Sequence, residues 1–196
     1  MTAVVYLEQT DGAVDEPSLQ AVTLASSLGG GAVHAVVAAE TPSLAAAERL
    51  PADTVHVAVH EAFGSHAPLA IAEAVVELAG RLGATSVVGP GTERGNEVLA
   101  HVAALLDLPL AANCVSVADG GVTRVRWGGS LLEEARVDAP TLLLTVQPHA
   151  VAAAPGASDG VAPATTACTS APPARDVARV AAWRDGSSTA PSVCSR

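Results

Sequence analysis

The chain has 196 residues, a formal net charge of −10 and 49% apolar residues, drawn mostly from Ala, Val and Leu. All 10 basic residues are Arg, which excludes chemistry that needs a lysine, such as a Walker A phosphate contact or a Schiff base. An acidic surface without basic clusters argues against nucleic acid or anionic membranes as partners, and the widely spaced Cys114, Cys168 and Cys194 suggest neither a zinc site nor a disulfide framework.

Ala3 to Leu7 reads as a buried strand, followed by a polar turn from Glu8 to Gly12. Pro17 suits the first turn of a helix, where its missing N–H is no loss. Leu19, Val22, Ala25 and Leu28 then recur at helical spacing until Gly29 to Gly31 stop the helix. Ala32 to Val37 predicts a second strand, Ser43 to Leu50 a short helix and Thr54 to Val59 a third strand. Ala67 to Leu82 is the most regular helix, with Leu69, Ala72, Val75, Val76, Ala79 and Leu82 on one face and Gly83 at its end. Thr85 to Val88 is a fourth strand, leading through Gly89-Pro90-Gly91 and a polar turn, Thr92 to Asn96, into a helix marked by Val98, Leu99, Val102, Leu105 and Leu106.

Four successive βα units imply an α/β fold, a mostly parallel sheet with helices on both faces. Continuously apolar strands agree, since parallel strands are buried on both sides. Past Pro109 the pattern changes. Cys114 to Ala118 and Val122 to Trp127 flank Asp119-Gly120-Gly121, a hairpin signal. Ser130 to Val137 predicts a third antiparallel strand, and Thr141 to Val146 a buried strand able to rejoin the core sheet. The expectation is therefore a parallel core with an antiparallel hairpin annex over residues 1–151. From about Ala152 the chain turns to Ala, Pro, Ser, Thr and Gly, which reads as a linker or disordered tail to Arg196 with one short strand at Val177 to Trp183. No signal peptide is evident and no apolar run reaches the roughly 18 residues of a spanning helix, so a soluble cytoplasmic protein without membrane insertion is expected.

The glycine turn is the first candidate site. Gly89, Gly91 and Gly95 give GxGxxxG, one residue too long for a dinucleotide fingerprint, and they follow the fourth strand rather than the first. A helix N-terminus still attracts phosphate, and Gly91, Thr92, Arg94, Gly95 and Asn96 form a candidate nucleotide or phosphate loop. The plainer account is that the glycines make the turn and Asn96 caps the helix. His56 and His60 share a strand face and His66 follows, but without convergent ligands they read as solvated strand-end histidines rather than a metal site. No nucleophile elbow occurs, and Glu133 and Glu134 point to opposite faces, so no catalytic residue is assigned. Arg124 and Arg126 share a face, with Arg136 expected nearby on the next strand. That cationic face is a candidate partner surface in so acidic a chain.

Three stretches in order carry a resemblance: VVYLEQTDGAVDEPSLQAVTLASSLGG, GTERGNEVLAHVAALLDLPLAANCVSV and VTRVRWGGSLLEEARVDAPTLLLTVQPHAV. The second is similar to a Thr-x-x-Gly-(Arg/Lys)-x-(Leu/Val)-Ala-x-x-Leu-Ala pattern followed by an Asp/Asn-containing strand. Together they resemble the amino-terminal domain of the alpha subunit of electron transfer flavoproteins. The resemblance implies a fold of the adenine-nucleotide alpha-hydrolase-like group. It implies a non-enzymatic role, part of a heterodimer with a beta-type subunit that carries electrons from flavin dehydrogenases to a quinone reductase or another acceptor. It implies FAD in the assembled complex, bound mainly in a flavin domain that would follow this one or be supplied separately, so no FAD contact is carried onto this chain. Gln147 stands where the family usually has Arg, and His149 where it usually has Gly. The alternative is a stand-alone adenine-nucleotide module resembling universal stress proteins, with AMP between the Gly89 to Asn96 turn and the Glu8 to Asp11 turn, although the phosphate pattern of that group is absent.

Overall fold

The computed structural model describes residues 1–41, 50–118, 121–153 and, as backbone, 164–169. The strands are β1 (Thr2–Leu7), β2 (Gln9–Thr10), β3 (Ala13–Val14), β4 (Ala32–Ala39), β5 (Thr54–Val59), β6 (Ser86–Pro90), β7 (Leu110–Ala118), β8 (Gly121–Arg126), β9 (Leu131–Arg136), β10 (Leu142–Val146) and β11 (Ala164–Thr169). The helices are α1 (Glu16–Ser27), α2 (Pro68–Leu82) and α3 (Glu93–Leu106). Among the described residues the sheet has nine strands, in the order β11-β5-β4-β1-β6-β10-β7-β8-β9. Pairing is parallel from β11 to β7 and antiparallel for β7–β8 and β8–β9. The expected parallel core with an antiparallel annex is the architecture found, and the TLLLTV strand does rejoin the core, as β10 between β6 and β7.

The strand alternation divides the core into two layers. Val4, Tyr6, Val36, Val87 and Leu143 pack under α2 and α3. Ala3, Val5, Leu7, Val33, Val88, Leu144 and Val146 pack with Ala21, Val22, Leu24 and Ala25 of α1. Burying a Val or Leu contributes about 1.5–3 kcal/mol, so two such layers are the main stabilising term. Gly83 ends α2 in the left-handed conformation (φ 59°), the role its place in the sequence predicts.

Several boundaries differ from the sequence pattern. β6 runs through Gly89 and Pro90 instead of stopping at Val88, and Gly89 gives the strand room for the Leu99 side chain of α3, which a Cβ would meet. β7 begins at Leu110, directly after Pro109, earlier than the Cys114 suggested by the apolar pattern. The polar turn after β1 is a miniature hairpin, β2–β3, with Asp11 (φ 51°) and Gly12 (φ 81°) at its tip. Within the stretch expected to be linker, β11 adds to the sheet edge beside β5, with Thr166 opposite His56 in backbone register. Its ATTACT sequence lacks the bulky apolar residues that signal a strand. The expected helix Ser43 to Leu50, the Asp119-Gly120 turn and the expected strand Val177 to Trp183 lie wholly or largely outside the described residues.

Candidate functional site

The chain leaves β1 toward β4 and β5 on one side, then crosses to β6 on the other. The crevice between the carboxyl ends of β1 and β6 is therefore the topological switch point, where open α/β sheets bind ligands. Glu8 follows β1 and Thr92 follows β6, and they meet there. The Thr92 hydroxyl donates to both Glu8 carboxylate oxygens, Oε1 at 2.8 Å and Oε2 at 2.9 Å. It also accepts from the Gly95 N–H at 2.9 Å, so Thr92 is the N-cap of α3. The backbone N–H of Glu8 donates to the buried Ser18 hydroxyl at 2.8 Å, which ties the β1 exit to the start of α1.

Burial raises the Glu8 carboxyl above its ordinary range; Asp15 adds to this, while the Thr92 hydrogen bond, Arg94 and His66 oppose it. Beneath it, burial chiefly, then Glu8, raises the Tyr6 phenol far above its usual value, with Arg94 acting the other way.

The glycines make room for the protein's own atoms. A Cβ at Gly91 would lie 2.5 Å from the Val146 carbonyl oxygen and 3.0 Å from Asn113 Oδ1. One at Gly95 would overlap the Pro90 carbonyl. Three N–H donors of the turn are satisfied internally: Gly91 to the Val146 carbonyl, Gly95 to Thr92 Oγ1 and Asn96 to the Thr92 carbonyl.

Asn96 does not cap the helix as expected. It sits inside the first turn, and its side chain points across the sheet. Its Nδ2 donates to Asn113 Oδ1 at 3.1 Å, and its Oδ1 accepts from the Thr145 hydroxyl at 2.7 Å. Thr145 Oγ1 in turn accepts from the Asn113 N–H at 2.8 Å. The ring closes because β7 carries a bulge against β10, where Asn113 adopts φ 58°. Asparagine is among the few side chains at ease there. Asn113 is the Asn of the expected Asp/Asn-containing strand, and the Glu8 turn does face the Gly89 to Asn96 turn as the alternative reading placed it, but the Glu8–Thr92 hydrogen bond, Thr145 and the ring itself escaped sequence reasoning. Thr145 hides in an apolar run, and its only signal is the one polar residue in the strand LLLTV.

The histidines are not uniformly solvated. His56 is 7% exposed, and its Nε2 lies 3.0 Å from His34 Nδ1. His60 caps the short 3-10 turn Glu61–Gly64 by accepting from the Ala62 N–H at 3.0 Å. His66 pairs with Glu97 at 2.7 Å on an exposed surface. Among the described residues no group of three or more His, Cys, Asp or Glu could hold a metal ion. Cys114 is buried, and burial pushes its thiol up to about 11, so it holds little reactive thiolate.

At the annex, Arg124 and Arg126 do share a face. Arg124 Nε pairs with Glu133 Oε2 at 2.5 Å, and Arg126 lies 3.9 Å from the same oxygen. Arg136 is not with them: it stands opposite Gly121, on the face of Thr123 and Val125. Next to Arg126, Trp127 (81% exposed), Leu131 (50%) and Leu132 (65%) form an exposed apolar tip that the sequence reading did not single out.

A doubly wound sheet with an antiparallel annex, bearing no convergent nucleophile or metal cluster among its described residues, is the framework on which the comparison with known families falls. The chain belongs to the electron transfer flavoprotein domain family, which matches residues 3–174. No curated protein matches it. Members of this family are electron carriers rather than enzymes, and membership gives the chain an electron transfer flavoprotein-type role. The match extends past the expected boundary at residue 151 and includes β11. Among the described residues no helix is long and apolar enough to cross a membrane.

Proposed function

We propose that the chain is the amino-terminal domain of an alpha-type electron transfer flavoprotein subunit, a structural and docking part of a flavin electron carrier between dehydrogenases and an acceptor. What supports this is the switch-point crevice. The Glu8 carboxylate occupies the mouth of α3, and Thr92, Gly91, Gly95 and Asn96 spend donors on protein acceptors. A pyrophosphate entering there would meet a carboxylate and find those donors engaged. These residues do not suit the FAD phosphates, so the flavin is assigned to a domain beyond this one.

The docking surface in this reading is the annex. Arg126 and Trp127 are of the types enriched at interface hot spots, and exposed Leu131 stands opposite Arg126 on the same strand face. Arg124, already paired with Glu133, lies on the same face as Arg126. Size-exclusion chromatography of the chain mixed with a beta-type subunit tests it. A stable complex is expected, weakened at least tenfold by Trp127→Ala. Equal binding by the variant would contradict the assignment of this face.

A second reading, a stand-alone adenine-nucleotide module, is favoured by the switch-point position alone, with AMP held by Gly91, Thr92, Arg94, Gly95 and Asn96. Calorimetric heat with AMP at millimolar concentration would support it; its absence would remove it.

A further inference from the structure

The His34–His56 contact serves neither the switch point nor the annex. The rings face each other from β4 and β5, with centroids 5.3 Å apart and planes tilted by 33°. One proton is shared across the 3.0 Å gap between His34 Nδ1 and His56 Nε2. His56 Nδ1 is buried and has no hydrogen-bond partner among the described residues. That orphan selects the tautomer. A stranded buried N–H costs more than a bare lone pair, so His56 carries its proton on Nε2 and donates to His34 Nδ1. Protonating His34 puts a hydrogen on its Nδ1, and the shared bond survives only if the His56 proton moves to buried Nδ1. Protonating His56 itself places a charge at that same buried nitrogen.

Arg81 of α2 acts on His56 as a like charge, with Glu77 one turn earlier on the same helix. Asp53 is the one described carboxylate acting on His34, and it is already engaged by the Val33 N–H at 2.7 Å. Thr166 of β11 lies opposite His56 in backbone register.

We propose that the His34–His56 pair is a pH-sensitive latch that fastens β5, and through it β11, to the body of the sheet at neutral pH and loosens them on acidification. Burial, then His34 and Arg81, lower His56 from 6.5 to about 4. A lowered histidine stabilises the fold above its unfolded value, and that contribution drains away as pH falls from about 6.5 toward 4.

The test is a set of thermal melts of the full chain at several pH values, beside His56→Gln. A Gln amide N–H can still donate to His34 Nδ1, but the side chain cannot titrate. Wild type is expected to lose roughly 5 °C more than the variant between neutral and mildly acidic pH. Nitrogen-15 imidazole spectra give a second readout that does not depend on the variant folding: His56 should remain the Nε2–H tautomer at neutral pH and stay neutral well below the ordinary histidine range. Parallel pH profiles for the two proteins, or a His56 ring that titrates normally, would overturn the latch.

Discussion

Thr92 does two things at once: it caps α3 and donates to Glu8. Thr92→Val keeps the shape, loses the cap and leaves a half-buried carboxylate without its hydroxyl donor. Urea unfolding should show a loss of about 1–3 kcal/mol, whereas Thr92→Ser should stay near wild type. Glu8→Gln separates the charge from the hydrogen bond, since its Oε1 still accepts from Thr92. The raised Glu8 carboxyl opposes folding while ionised and ceases to do so as pH falls through its folded value. The stability of Glu8→Gln relative to wild type should therefore be greatest at neutral pH and shrink on acidification. A constant difference across that range would contradict a strained carboxylate. His149 adopts φ 65°, held by its N–H donating to Gln20 Oε1 at 2.9 Å, which gives a physical reason for the glycine usual at that position in the resembling family.

Strand, turn and helix at β6–α3 show where sequence periodicity suffices and where it stops. Val98, Leu99, Val102 and Leu105 are all buried, as their spacing predicts. The glycines before them were legible as a turn, but their purpose was not, because it lies in Val146 and Pro90 carbonyls that approach only in the folded chain. Gly95→Ala isolates this point. Helix propensity alone predicts a gain of about 1 kcal/mol for Ala over Gly. Overlap with the Pro90 carbonyl predicts the opposite sign, a loss of roughly 1–3 kcal/mol in chemical denaturation. The annex strands were likewise legible from Asp119-Gly120-Gly121, but the side to which Arg136 points depends on a register that sequence spacing does not fix.

For the whole molecule, apolar runs and glycine stops were enough to give the α/β class, the buried core layers and the return of Thr141 to Val146 into the sheet. The edge strand β11 was hidden because its small polar residues resemble a linker. The Asn96–Asn113–Thr145 ring was hidden because it joins residues 17 to 49 positions apart. What these pieces build is an electron transfer flavoprotein domain whose switch point is bridged by its own Glu8 and Thr92. The central claim is that this domain leaves its flavin to another. The most direct measurement is the visible absorption spectrum of the purified chain after incubation with excess FAD and desalting. The account predicts a colourless protein with no retained flavin. A yellow protein carrying stoichiometric FAD would contradict it.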